Sequence, residues 1–148
     1  MSIIKSFSEA LKQKDERGWE KLYVLVDIHN TIFKPCYHNE ETFDWFPDAL
    51  EVLQYLTKDT RFDLILWTSS YQNKIQMYLE EFEKHNIKFN MININTEVES
   101  DDLGCFEEKT YYNIGIDDKF GFDAMTDWTV IKNWYEHKIT KNNSLSVS

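Results

Sequence analysis

The sequence predicts a three-layer α/β domain built on a mainly parallel sheet, and three observations lead there. Near-continuous apolar runs recur at Leu22–Val26, Phe62–Trp67 and Tyr111–Ile116, the pattern of strands buried on both faces. Stretches with apolar residues at helical spacing separate them. Polar residues stand where the runs end, at Asp27, Thr68 and Asp117, and in open α/β sheets the ligand sits outside the carboxyl ends of the strands.

Taken in order, residues 1–20 carry Ile3, Ile4, Phe7, Ala10 and Leu11 at near-helical spacing with charges between, an amphipathic helix expected to pack onto the domain or a partner. The first strand, Leu22 to Asp27, follows. Phe33 to Thr42 is polar and contains Pro35, so it reads as loop or hairpin. Pro47 sits where a first-turn proline would, and Ala49, Leu50, Leu53 and Leu56 continue with helical spacing. The second strand, Phe62 to Trp67, is closed by Thr68-Ser69-Ser70, which can also cap the helix expected through Ile75, Tyr78, Leu79 and Phe82. A third strand is expected from Lys88 to Ile94, an acidic irregular segment from Thr96 to Glu108, and a fourth strand from Tyr111 to Ile116. A last helix covers Trp128 to His137. The division is therefore an N-terminal helix over 1–20, an α/β domain over 21–140 and a polar tail over 141–148, expected to be mobile.

Composition excludes several function classes. Net charge is −10, from 26 acidic and 16 basic residues, which argues against general nucleic-acid binding and anionic membranes. Arg17 and Arg61 are the only arginines, so arrays of bidentate phosphate clamps are excluded. With only Gly18, Gly104, Gly115 and Gly121, no Gly-rich dinucleotide or Walker loop can be written. Cys36 and Cys105 make no CxxC motif, and Cys36 with His38 does not match a zinc spacing. No secretory leader or membrane span is expected, and the default compartment is cytoplasmic with reduced thiols. The aromatics Phe43, Trp45 and Phe46 read as core or edge packing ahead of a substrate pocket. Glu97, Glu99, Asp101, Asp102, Glu107 and Glu108 read as a solvated loop.

The strand ends together supply Asp27-Ile28-His29-Asn30-Thr31, then Thr68, then Lys109, then Asp117-Asp118. Carboxylates from two strand ends can hold a hard divalent cation such as Mg²⁺. A hydroxyl and a lysine can hold a phosphoryl group against it. Asp27 is then placed to attack phosphorus. Lys109 is the softest member of the set, because a lysine before a strand is commonly solvated.

This ordered set resembles the haloacid dehalogenase (HAD) superfamily of phosphohydrolases, in its small capless form with a Rossmann-like sheet. Val24-Leu25-Val26-Asp27-Ile28-His29-Asn30-Thr31 matches the first motif, an apolar strand then Asp-x-Asp-x-Thr, except at His29. Leu64 to Thr68 matches the second motif, Lys109 the third, and Ile114-Gly115-Ile116-Asp117-Asp118 the fourth. The resemblance covers about Leu22 to Glu136.

The resemblance implies a Mg²⁺-dependent phosphomonoester hydrolase acting through an aspartyl-phosphate on Asp27. The Asp27 carboxylate, the His29 backbone carbonyl and Asp117 would hold the metal, with Asp118 in support. Thr31, Thr68, Ser69 and Lys109 would meet the substrate. Too little chain separates Phe33 from Asp63, or Thr68 from Lys109, to hold a cap domain. Capless members either accept large accessible phosphorylated groups or close their sites as homo-oligomers. A small phosphorylated metabolite or a nucleotide is the expected substrate.

His29 departs from the pattern, which has there an aspartate that protonates the leaving group. Three readings stay open: His29 supplies the acid/base itself, since its ring nitrogens can exchange protons near neutrality; the enzyme is weak or altered; or the protein binds phosphate or metal without turnover, in an interaction role. A signalling receiver domain also pairs acidic residues with a phosphorylated Asp, a Thr and a Lys. It carries the acidic pair on its first strand, whereas here the pair follows the last.

Overall fold

A computed structural model describes residues 3–34, 43–95, 97 and 110–146, with 139–146 by backbone alone. Cys36, His38, Cys105 and Lys109, together with Glu99, Asp101, Asp102, Glu107 and Glu108, lie outside the described residues.

Four strands form one parallel sheet in the order β3-β2-β1-β4. They are β1 (Leu22–Asp27), β2 (Phe62–Trp67), β3 (Met91–Ile92) and β4 (Ile114–Ile116). Among the described residues four helices flank the sheet: α1 (Ile3–Arg17), α2 (Ala49–Lys58), α3 (Gln72–Lys84) and α4 (Asp127–Ser146). The result is an α/β, three-layer-like, Rossmann-like arrangement, as the alternation of runs predicted. The central strand β1 pairs with β2 from Leu22↔Phe62 to Asp27↔Trp67, and with β4 through Val26↔Ile116.

Burial follows the strand period of two. Leu22, Val24 and Val26, with Phe62, Leu64, Leu66, Ile114 and Ile116, join residues of all four helices in the main core. The alternate residues Tyr23, Leu25, Ile65 and Met91 form a second cluster with Tyr111. Both faces of β1 are therefore apolar, which explains its unbroken hydrophobic run. The N-terminal helix belongs to this core. Phe7 is fully buried, edge-on to Phe62 at 5.9 Å and tilted against Trp134 of α4 at 5.7 Å.

Several boundaries differ from expectation. Pro47 precedes the helix: α2 starts at Ala49, and Asp48 takes the cap position in the left-handed region (φ 64°) without a side-chain cap. Its carboxylate instead reaches α4, accepting from Thr129 Oγ1 at 2.6 Å and Lys132 Nζ at 3.4 Å. Thr68-Ser69-Ser70 does not cap α3, because the cap position is Tyr71 and Ser70 N donates to Thr68 Oγ1 instead. α4 runs on through Ser146, into the stretch read as a polar tail, since no proline or glycine interrupts it. Glu97 is not merely solvated. It accepts from Tyr23 Oη at 2.9 Å and from Lys21 Nζ at 3.2 Å, and Lys21 also donates to Asp63 at 2.9 Å. Phe46 is buried, with Phe43 and Trp45 packed against the core.

The third and fourth strands are shorter than their apolar runs because asparagine side chains take over part of the pairing. Tyr23 N donates to Asn113 Oδ1 at 2.8 Å, and Asn95 Nδ2 donates to the Tyr111 carbonyl at 3.1 Å.

Candidate active site

The strand order reverses at β1: β2 and β3 extend to one side, β4 to the other. In open α/β sheets the carboxyl ends of the strands at such a switch point, here β1 and β4, are where ligands bind. Asp27 ends β1, and Asp117 directly follows Ile116, the partner of Val26. On the other flank Trp67 is the register partner of Asp27, so Thr68 emerges at the same edge. The sequence separations among these residues are large, and the parallel register alone brings them together.

Three carboxylates converge there. Asp27, Asp117 and Asp118 each offer an oxygen within 4.8 Å of the others. Burial raises the Asp27 pKa from its ordinary 3.8 to about 6. Negative charge on Asp117 and Asp118 adds to the rise, and the hydrogen bond from Thr31 opposes it. Asp117 is buried and also raised, chiefly by desolvation, although the Lys119 backbone N–H donates to its Oδ1 at 2.9 Å. A set of hard anionic oxygens this close together fits a small divalent cation.

Thr31 ties the cluster together. Fully buried, it donates from Oγ1 to Asp27 Oδ2 at 3.1 Å and accepts from the Asp118 backbone N–H at 3.2 Å. Its carbonyl accepts from Trp128 Nε1 at 2.7 Å, so α4 holds the turn after β1 from beneath. That turn is closed by the Ile28 carbonyl, which accepts from Ile32 N at 2.9 Å, with Asn30 in the left-handed region (φ 60°) that asparagine tolerates. The hydroxyl expected to meet substrate thus sits between the Asp27 carboxylate and the Asp118 backbone N–H.

Thr68 is buried and doubly clipped to Asn93. Its backbone N–H donates to Asn93 Oδ1 at 2.8 Å, and Asn93 Nδ2 donates to its carbonyl at 2.9 Å. Its hydroxyl meets Ser70 Oγ at 2.9 Å. Ser69 is exposed beside it. His29 is also exposed, and its Nε2 lies 3.0 Å from the Tyr78 hydroxyl on α3.

Sequence reasoning brought Asp27, Thr31, Thr68, Asp117 and Asp118 to one sheet edge, as observed. It missed Asn93, Tyr78 and Trp128 as supports. The only signal for Asn93 was an asparagine at the end of an apolar stretch, which suits its left-handed backbone (φ 61°). Tyr78 read simply as a helix position, and Trp128 as part of the Asp127-Trp128 stretch that resembles the one following the acidic pair in small HAD members, with no contact assigned to it.

No protein-family model matches the chain, and no curated protein sequence does. A solved structure, that of the conserved protein coded by a locus from Bacteroides thetaiotaomicron, is similar at 23% identity with a TM-score of 0.60. The match covers 80% of this chain and 92% of that one. At that identity the likeness shows the fold. Among the described residues no helix is long and apolar enough to cross a membrane.

Proposed function

We propose that the chain is a HAD-like phosphohydrolase that cleaves a small phosphomonoester, a metabolite or a nucleotide, through an aspartyl-phosphate on Asp27. One observation carries the reading: three carboxylates gather at the switch point of a parallel sheet, with a buried threonine clipped at the adjoining strand end. Asp27, Asp117 and Asp118, with the His29 backbone carbonyl, would hold Mg²⁺. Bound there, Mg²⁺ would offset the charge of the phosphoryl oxygens and favour an ionised Asp27.

The chain's own residues supply the rest. Thr31 fixes the Asp27 carboxylate so that one oxygen is restrained and the other is left for attack on phosphorus. Asn93 locks the backbone at Thr68, whose hydroxyl can then donate to a phosphoryl oxygen in exchange for Ser70. Lys109, outside the described residues, takes the role of a cation on the phosphate by resemblance.

The test is Mg²⁺-dependent release of phosphate from an aryl phosphate, lost in Asp27→Asn. Failure across a broad phosphomonoester panel with Mg²⁺, Mn²⁺ and Co²⁺ overturns the reading. A phosphate- or metal-binding protein without turnover is the second reading, favoured by the engagement of His29 Nε2 with Tyr78 outside the carboxylate cluster.

A further inference from the structure

We infer that Tyr78 is a positioning residue for His29. By holding the Nε2 end of the ring, it leaves Nδ1 as the atom that passes the proton in hydrolysis. The inference rests on the phosphohydrolase reading above and supplies the part of it that the histidine substitution leaves open.

The covalent skeleton states the problem. In aspartate the carboxylate oxygens are bonded to Cγ. In histidine Nδ1 is bonded to Cγ, and Nε2 lies one bond further out. By bond count Nδ1 therefore matches a carboxylate oxygen of the family pattern, and Nε2 has no counterpart there. An exposed imidazole rotates about its Cβ–Cγ bond and gives neither nitrogen a fixed place. Holding Nε2 at one point removes that freedom.

Tyr78 is built to hold it. Its hydroxyl lies 3.0 Å from Nε2, and the two rings meet edge to face at 5.7 Å and 83°. The phenol ring is in turn fixed by apolar packing. It stacks on Phe33 at 5.8 Å and 24°, and Phe43 closes on it edge-on at 6.1 Å. Phe33 is buried, stacks on Phe82 of α3 at 5.8 Å and 7°, and accepts through its carbonyl from Asn30 N at 3.0 Å. The turn that carries His29 and the helix that carries Tyr78 are thus joined through one aromatic stack, and the hydroxyl cannot swing away without breaking it.

A phenol oxygen accepts as readily as it donates. With Nε2–H donating to Tyr78 Oη, the ring works at Nδ1. In the first half-reaction an Asp27 oxygen bonds to phosphorus, and the phosphorus–oxygen bond to the leaving group breaks. Its electron pair stays on the leaving oxygen, which takes the proton from Nδ1–H. In the second, a water oxygen bonds to phosphorus and the Asp27 oxygen–phosphorus bond breaks back to carboxylate, while Nδ1 takes the proton of the water. One water is consumed and the chain is restored.

The experiment compares kcat/KM on phenyl phosphate, whose leaving group needs a proton, with 4-nitrophenyl phosphate, whose leaving group needs one far less. His29→Gln, which carries its amide one bond further out, should lose on the order of 10²–10⁴-fold on phenyl phosphate and much less on the nitrophenyl ester. His29→Asp should stay within about tenfold of wild type, since its oxygen occupies the Nδ1 place. Tyr78→Phe keeps the aromatic stack and should lose about tenfold on phenyl phosphate, the scale of one hydrogen bond. In the His29→Asp background Tyr78→Phe should cost nothing further, because the two effects share one contact. An equal loss in both backgrounds, or none in wild type, overturns the inference. Absence of hydrolysis by wild type, or hydrolysis that survives Asp27→Asn, fails the phosphohydrolase reading itself. Hydrolysis that needs Asp27 but ignores Tyr78 overturns this inference alone.

Discussion

Replacing Asp27 by asparagine should stabilise the metal-free protein while abolishing its chemistry. Burial and the neighbouring carboxylates raise the Asp27 pKa from 3.8 to about 6. That rise corresponds to about 3 kcal/mol held against the ionised form in the folded state. Solvent reaches part of the carboxyl group and screens it, and the amide oxygen still accepts from Thr31, so the expected net gain is about 1–2 kcal/mol. For a chain of this size that is about 2–8 °C in melting temperature. The sign follows from proton binding. The folded state holds the Asp27 proton more tightly than the unfolded chain, so wild-type stability falls as pH rises from 3.8 to about 6, and the deficit is complete above. Thermal unfolding in chelator at pH 7 should therefore favour Asp27→Asn, and the gap should close near the ordinary carboxyl pKa. Added Mg²⁺ should reverse the order, because a ligand at a hundred times its Kd contributes about 2.7 kcal/mol to the form that binds it. An asparagine variant no more stable than wild type in chelator at pH 7 refutes the account of a strained, desolvated carboxylate cluster.

Two further outcomes follow from the same structure. Asp117→Asn should weaken Mg²⁺ binding at least tenfold by calorimetry, whereas Asp123→Asn, whose carboxylate caps its own turn by accepting from Met125 N, should leave it unchanged. Phe7→Ala should destabilise the whole domain by about 3–5 kcal/mol in urea unfolding, with a single transition, because Phe7 is fully buried between β2 and α4.

The parts of the fold that could be read in advance were those set by continuous burial. β1 and β2 lie where their apolar runs lie, because β1 is covered on both faces and β2 on one face and at Ile65 on the other. β3 and β4 were overestimated for a physical reason: Asn93, Asn95 and Asn113 bond through their side chains to backbone groups, which a sequence reading takes for turn chemistry. At the candidate site the converging polar groups were legible because parallel strands deliver their last residues to one edge. Their supports were not. The Trp128 bond to the Thr31 carbonyl and the Tyr78 contact with His29 join residues far apart in sequence, and nothing local tells which partner either side chain meets.

The burial of Phe7 against Trp134 also bears on how the chain is made. The first helix finds its cover on the last, and β1 has one neighbour in β2 and the other in the late strand β4. A nascent chain emerging from the ribosome holds Phe7 and one flank of β1 uncovered until α4 is synthesised. The central strand precedes β4 and α4 in the chain and is enclosed only with them. Folding of such a non-local sheet is slow compared with a helical bundle of similar length. In the interval the segment from Leu22 to Val26, apolar on both faces, stays without its full cover.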